Sequence, residues 1–315
     1  VTRPAASAAP PSKPSTRRWF KLVWIIPVSL AVLVASVLAA QWLRELAPVR
    51  AFMDQYPGES TLPADAPVGF PAWLAWQHFL SSFFLLLIIR TGWNVRTNRR
   101  PAAYWTRRNT GLLRTKNPPL RISLDLWLHL SLDALWVLNG LVFYVLIFST
   151  GQWTRIVPVH WDVFPNALSA ALQYASLNWP TENGWVNYNA LQLLAYFSVV
   201  FIASPLALIT GLRLSGAWPR NTTRLNALYP LRVARAVHLP VMYFFVAFIV
   251  VHVTLVLSTG ALRNLNHMYA VRNDESWVGF WFFAASVVVM VVAWVLMRPV
   301  VLRPIAALTG SVSRR

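Results

Sequence analysis

The chain has no cysteine among its 315 residues. That excludes disulfides, thiolate metal sites, iron–sulfur clusters, cysteine nucleophiles and covalently attached c-type haem together. Any metal must therefore be held by His or carboxylate. Acidic residues are scarce as well: ten Asp and Glu face 28 Lys and Arg, a net charge of +18. Charge of either sign is thin, at 12% of residues against roughly 25% in an average soluble domain. Nucleic-acid binders carry their excess on a far more polar surface, so no nucleic-acid partner is expected. A chain this apolar and this basic is expected to reside in a lipid bilayer.

Six apolar stretches are each long enough to cross about 30 Å of hydrocarbon. They run over 22–42, 72–90, 124–149, 191–212, 236–258 and 277–297. The predicted fold is an all-α integral membrane protein of six transmembrane helices. The first stretch reads as an uncleaved span, because it exceeds a usual signal core and lacks a small-residue cleavage site. Four spans close on Thr-Gly, at Thr91-Gly92, Thr150-Gly151, Thr210-Gly211 and Thr259-Gly260. Gly just past a helix can take the left-handed conformation that ends the last turn, so all four read as helix stops.

The segments between spans alternate in charge. Residues 1–21, 90–121, 213–235 and 298–315 together hold 23 basic residues and no acid. Residues 43–71, 151–190 and 260–276 hold five basic and eight acidic residues. By the positive-inside rule both termini are cytoplasmic and three loops lie outside, as in a multi-pass protein of a bacterial inner membrane. Residues 1–21, rich in Ala, Pro and Ser, read as a disordered arm. Residues 22–71 form an extra span with its outer loop, 72–260 a four-helix core from spans two to five, and 261–315 a last span and tail. The outer segments 43–71 and 151–190 are rich in Pro, Trp and Asn, which suits a headgroup interface or a docking surface.

Histidine carries the chemistry. His160 and His267 fall in outer loops and read as ordinary surface residues. His78, His129, His238 and His252 fall inside spans, where ionisable groups are costly and tend to be functional. His238 and His252 share the fifth span fourteen residues apart, on nearly the same face and about 21 Å apart along the axis. The alternation of spans then matches two pairs by depth: His129 with His238 at the inner level, His78 with His252 at the outer. Two imidazoles facing each other from opposing helices form an axial site for haem iron. Without cysteine the haem is non-covalent, so two b-type haems stacked across the bilayer are expected. Asp125 and Asp133 lie one turn either side of His129, where a carboxylate can orient an imidazole or take a proton from a quinol. Arg90, Arg121, Arg232 and Arg235 lie near the inner level and are candidate partners for haem propionates.

With these residues in place, the chain resembles the bacterial di-haem cytochrome b subunits of membrane oxidoreductases. These are the membrane anchors of formate dehydrogenase, nickel–iron hydrogenase and other molybdopterin enzymes. The resemblance covers roughly residues 72–260. It rests on His78-Phe79 opening a span that closes on Thr91-Gly92, on His129 opening the next, and on the interval from His238 to His252. It implies a four-helix haem-binding core that passes electrons between a catalytic redox partner and the quinone pool. A molybdopterin subunit docked on the extracytoplasmic loops is the partner implied. One span is added at each end of that core. No nucleophile, nucleotide loop or substrate site is visible, so substrate chemistry other than that of quinone is assigned to the partner. Two other classes compete: a ferric-reductase-like haem protein, which tends to place two His on each of two helices, and a transporter or anchor with no redox role.

Overall fold

The computed structural model describes residues 16–110, 114–115, 118–179, 183–219 and 221–314, without the side chains of 16–22. Six helices are long and apolar enough to cross a membrane. They are α1 (Thr16–Glu45), α3 (Ala72–Thr97), α4 (Leu124–Ser149), the composite fourth span Ala190–Leu214, α9 (Leu231–Ser258) and α11 (Val278–Leu296). Shorter helices are α2 (Ala47–Gln55), α5 (Val163–Ala175), α8 (Thr223–Leu228), α10 (Ala261–Leu265) and α12 (Pro299–Ala307). The protein is an all-α multi-pass membrane protein. Residues 16–21 of the arm expected at the start belong to α1, and 1–15 lie outside the described residues.

The fourth span is α6 (Ala190–Phe197), a π-helical turn Ser198–Ala203, and α7 (Ser204–Leu214). Asn189 caps its start by accepting from Gln192 N while the Gln192 side chain accepts from Asn189 N, a capping box. Next to the π turn, the Tyr144 hydroxyl donates to Val200 O at 2.6 Å. The widened turn thus offers a carbonyl that a tyrosine of the neighbouring span takes up.

Spans two to five pack as two helix pairs, α3 with α4 and α7 with α9. Ala203, Val241 and Phe245 form their shared core, with Leu85, Ile89, Ala207 and Val237 around it. Mid-span, Asn139 of α4 donates to Ser81 Oγ of α3 at 3.0 Å, which satisfies a polar group where lipid cannot. Between Val23 and Leu43, α1 leaves most of its apolar side chains exposed, the normal state of a helix solvated by lipid. It touches the rest through its last turns, where Gln41 and Arg44 donate to Ser176 O and Oγ.

Each end of the bundle carries a built layer. At the basic end a three-stranded antiparallel sheet forms from β1 (Tyr104–Arg107), β2 (Arg121–Ser123) and β3 (Gly310–Ser313), in the order β2-β1-β3. It packs with α12 on the start of α4 through Ala103, Leu124, Leu302 and Ala306. Trp105 Nε1 donates to Ala306 O at 3.0 Å. At the other end the long acidic segments fold onto one another, with Val163 and Ala167 of α5 buried against Ala190 and Leu193 of α6.

Two of the four Thr-Gly stops are helix ends. Gly151 and Gly260 take φ of +72° and +118° directly after α4 and α9. Gly92 and Gly211 do not end helices: α3 continues to Thr97 and α7 to Leu214, and neither glycine has a positive φ. The apolar stretch stops near them because the helix leaves the hydrocarbon, and the backbone hydrogen bonding carries on.

Candidate haem sites

Four spans bring the four intramembrane histidines together as two pairs. His78 of α3 and His252 of α9 have ring centroids 6.3 Å apart, and His129 of α4 and His238 of α9 have theirs 6.5 Å apart. The ring planes meet at 58° and 88° respectively. The partners are those that depth alone selects, and α9 supplies one ring to each level. Among the described residues no three His, Asp or Glu gather as a metal cluster, and each pair offers two imidazoles.

At the basic end the two rings are held alike. Thr91 Oγ1 lies 3.0 Å from His129 Nδ1, and Thr210 Oγ1 lies 2.8 Å from His238 Nδ1. Each threonine is 1% exposed, and each hydroxyl also reaches carbonyls of its own helix. Those carbonyls are Leu87 O and Ile88 O for Thr91, and Leu206 O and Ala207 O for Thr210. The glycine that follows makes room for the ring: a Cβ on Gly92 would stand 3.1 Å from His129 Cε1, and one on Gly211 3.6 Å from His238 Cε1. The Thr-Gly of one span thus cradles the histidine of the next, twice over. The spacing of Thr-Gly was visible in the sequence, but a helix stop and a ring cradle look identical there.

The other pair sits among aromatic rings. His252 stacks on Phe248 at 5.3 Å and 7°, with Tyr196 edge-on at 6.1 Å. Tyr269, from the π-helical turn Asn266–Ala270 that continues α10, meets His78 edge-on at 5.7 Å. His78 Nδ1 is buried without a hydrogen-bond partner among the described residues.

The carboxylates divide. Asp133 Oδ2 lies 3.6 Å from His129 Nε2, the nitrogen opposite the one Thr91 holds, so the ring-orienting role expected of a carboxylate falls to Thr91. Asp125 accepts from Asn98 Nδ2 at 3.0 Å and sits at the end of the span.

The candidate cationic partners scatter. Arg90 donates to Trp294 O and lies over the Trp294 ring. Arg121 lies over Tyr104 and donates to Ser313 Oγ and Arg314 O within the sheet. Arg232 is exposed. Arg235 lines a pocket of about 380 Å³ together with Arg213, Leu214, Ser215, Trp218 and Leu231. Leu231, Arg235 and His238 share one face of α9, and Thr210, Arg213 and Leu214 one face of α7, by helical spacing. By that spacing the pocket lies about one turn along α7 and α9 from Thr210 and His238, and Arg213 there donates to Tyr229 O and lies over the Trp218 ring. Arg213 was missed because any arginine there also satisfies the positive-inside rule.

Two further residues differ from expectation. His267 is buried at 3% exposure rather than on the surface: it stacks on Phe70 at 5.8 Å and donates from Nε2 to Asn273 Oδ1. Burial holds it below its ordinary pKa; the Asn273 bond opposes this, and the nearby charges of Arg263 and Arg155 add to it. Arg155, 2% exposed, donates to Gly69 O and Gly184 O at 2.6 Å each and to Trp185 O at 3.3 Å. Its guanidinium also faces Phe70 and Tyr188, so one cation ties two outer segments, 43–71 and 151–190. Burial pushes the Tyr188 phenol up to about 12, against the pull of Arg155. His160 is exposed.

No family model matches the chain, and neither curated proteins nor solved structures show a significant similarity to it. The functional reading therefore stands on the geometry of the two histidine pairs.

Proposed function

We propose that this protein is a b-type di-haem electron-transfer subunit of the kind found in bacterial cytochrome b membrane anchors. It would pass electrons between a partner redox enzyme and the membrane quinone pool. The observation that carries the reading is the spacing of the two imidazole pairs. Two imidazoles bound trans to one metal have centroids roughly 6.4 Å apart, from two metal–nitrogen bonds of about 2.0 Å and two ring radii of about 1.2 Å. Separations of 6.3 and 6.5 Å fit that span at both levels. Both interplanar angles are compatible with it, because axial rings are free to rotate about their common axis.

His78 and His252 would hold one haem, His129 and His238 the other. A haem held there would supply a one-electron iron couple. The chain's own residues do the rest. α9 sets the two levels about 21 Å apart along one continuous helix, with Pro240 just after His238. Phe248, Tyr196 and Tyr269 exclude water from one level, and Thr91 with Thr210 orient the rings at the other. Arg213 and Arg235 supply cations beside the second level for anionic groups such as propionates. The one-sided charge of the loops supports an orientation with both termini in the cytoplasm of a bacterial inner membrane, and the folded acidic cap would face a partner subunit outside.

The test is spectroscopic. Purified protein should show reduced-minus-oxidised bands of bis-imidazole haem, two haems per chain. His78→Ala and His252→Ala should remove one and the same haem, His129→Ala and His238→Ala the other. A chain without haem absorbance, or a split of either pair between the two haems, overturns the reading.

A further inference from the structure

Resting on that reading, we infer that Thr91 and Thr210 are positioning residues that lock both basic-end histidines as Nδ1–H tautomers with the Nε2 lone pair free for iron. Four observations converge. Both hydroxyls lie within 3.0 Å of Nδ1, and neither lies against Nε2. Both are 1% exposed, so water does not compete for them. Each hydroxyl has a single proton and two carbonyl oxygens of its own helix within reach, at 2.9 and 3.0 Å for Thr91 and at 2.6 and 3.1 Å for Thr210. Carbonyls can only accept, whereas a neutral imidazole nitrogen can donate. Every group around Nδ1 finds its complement in one arrangement: the hydroxyl proton goes to the carbonyls, and the hydroxyl oxygen accepts from Nδ1–H, while Asp133 Oδ2, 3.6 Å from His129 Nε2, stands beyond hydrogen-bond reach. Finally, among the described residues the device occurs on both rings of one level and on neither ring of the other.

The consequence is electronic as well as geometric. A hydrogen bond from the non-ligating nitrogen raises the basicity of the ligating one and fixes the ring's orientation. A more basic ligand stabilises ferric over ferrous iron, so the two threonines lower the midpoint potential of the haem between His129 and His238. His78 Nδ1 has no such acceptor. The two sites would therefore be tuned by different means, one by hydroxyl hydrogen bonds and one by apolar and aromatic surroundings.

Thr91→Val and Thr210→Val keep the shape and remove the acceptor, while Thr→Ser at each position keeps it. Potentiometric titration of the di-haem protein should show the Val variants raising the potential of the basic-end haem and leaving the other haem in place. Affinity for the basic-end haem should fall on the order of 10–100-fold, the usual effect of losing a partner of a metal-bound histidine. The Ser variants should restore both. Unmoved potentials with both haems bound, equal shifts in both haems, or Ser behaving like Val would overturn the inference. Nitrogen NMR of labelled histidine in haem-free protein reads the tautomer independently. The Nδ1–H form at His129 and His238 in a chain that takes up no haem would sink the proposed function and leave the lock standing. The opposite tautomer would sink the lock whatever the haem content.

Discussion

Substituting Gly92 and Gly211 separately measures how tightly each cradle holds its ring. In an open helix interior, Gly→Ala stabilises by about 1 kcal/mol, because glycine loses more backbone freedom on folding. At Gly211 the new Cβ would meet His238 Cε1 at 3.6 Å, an ordinary contact, so Gly211→Ala should be neutral to stabilising by up to about 1 kcal/mol. At Gly92 the Cβ would stand 3.1 Å from His129 Cε1, so the ring must retreat by a few tenths of an ångström. It is not free to do so, because Thr91 Oγ1 holds Nδ1 at 3.0 Å. Overpacking of this kind costs about 1–3 kcal/mol, which after the helix gain leaves Gly92→Ala destabilised by about 0–2 kcal/mol. The same strain acts on the geometry of the proposed haem site, where 1.4 kcal/mol is about tenfold in occupancy. Gly92→Val should cost more and deplete the basic-end haem selectively. Thermal unfolding in detergent and haem-to-protein ratios read both effects, with Gly140→Ala as the control, since nothing lies within 4 Å of a Cβ there. A Gly92→Ala protein as stable and as fully loaded as Gly211→Ala would refute the cradle.

Three further outcomes are expected. Arg155→Met leaves Gly184 O without its donor, at about 1–3 kcal/mol for that buried group, and removes the clamp on Gly69 O and Trp185 O, which keep Gln152 Nε2 and Gly69 N as donors. Thermal unfolding should then fall sharply, with Arg155→Lys recovering only part because one ammonium cannot span the fork. His267, held below its ordinary pKa, binds a proton more readily unfolded than folded. Its stability contribution is thus complete above pH of about 6.5 and declines as pH falls from there towards the folded value. His267→Gln should flatten that slope in unfolding experiments, and an unchanged slope counts against burial as the cause. The native chain's lack of cysteine makes topology directly readable. An impermeant maleimide should label His160→Cys in intact cells and Arg100→Cys only after permeabilisation, and the reverse pattern would invert the proposed orientation.

The spans and the histidine partners were legible in the sequence because both follow from one-dimensional rules. A helix rises evenly, so fourteen residues between His238 and His252 fix a depth difference, and the alternation of spans tells which end of each meets the same level as its neighbour. What escaped depends on contacts between distant segments. The sheet pairs Tyr104 with Ser313, and strands of three or four residues carry no periodic signal. His267 lies in a loop by position, but Phe70 and Trp185 arrive from two other segments to bury it. Arg155 reads as a lone loop cation until the carbonyls of Gly69 and Gly184 close on it. Thr91-Gly92 was misread for a different reason. A polar residue and a glycine at the edge of an apolar stretch signal the end of the hydrocarbon or the end of the helix, and those boundaries part company where α3 runs on to Thr97.

The two Thr-Gly cradles also reveal an order that loop lengths conceal. Thr91 reaches forward to His129 and Thr210 to His238, each from one span to the next, although the intervening connections differ in length and structure. The core is thus two helix pairs of like design, α3 with α4 and α7 with α9, meeting at the basic-end rings. The likeness stops there. At the other level His78 comes from the first helix of its pair and His252 from the second, and neither ring has a threonine cradle. A duplicated unit would specify two equivalent sites. This one specifies a matched pair at one surface and an unmatched, aromatic-lined pair at the other. If both pairs hold haem as proposed, their different surroundings would set different potentials for two sites that their ligands alone would make equal.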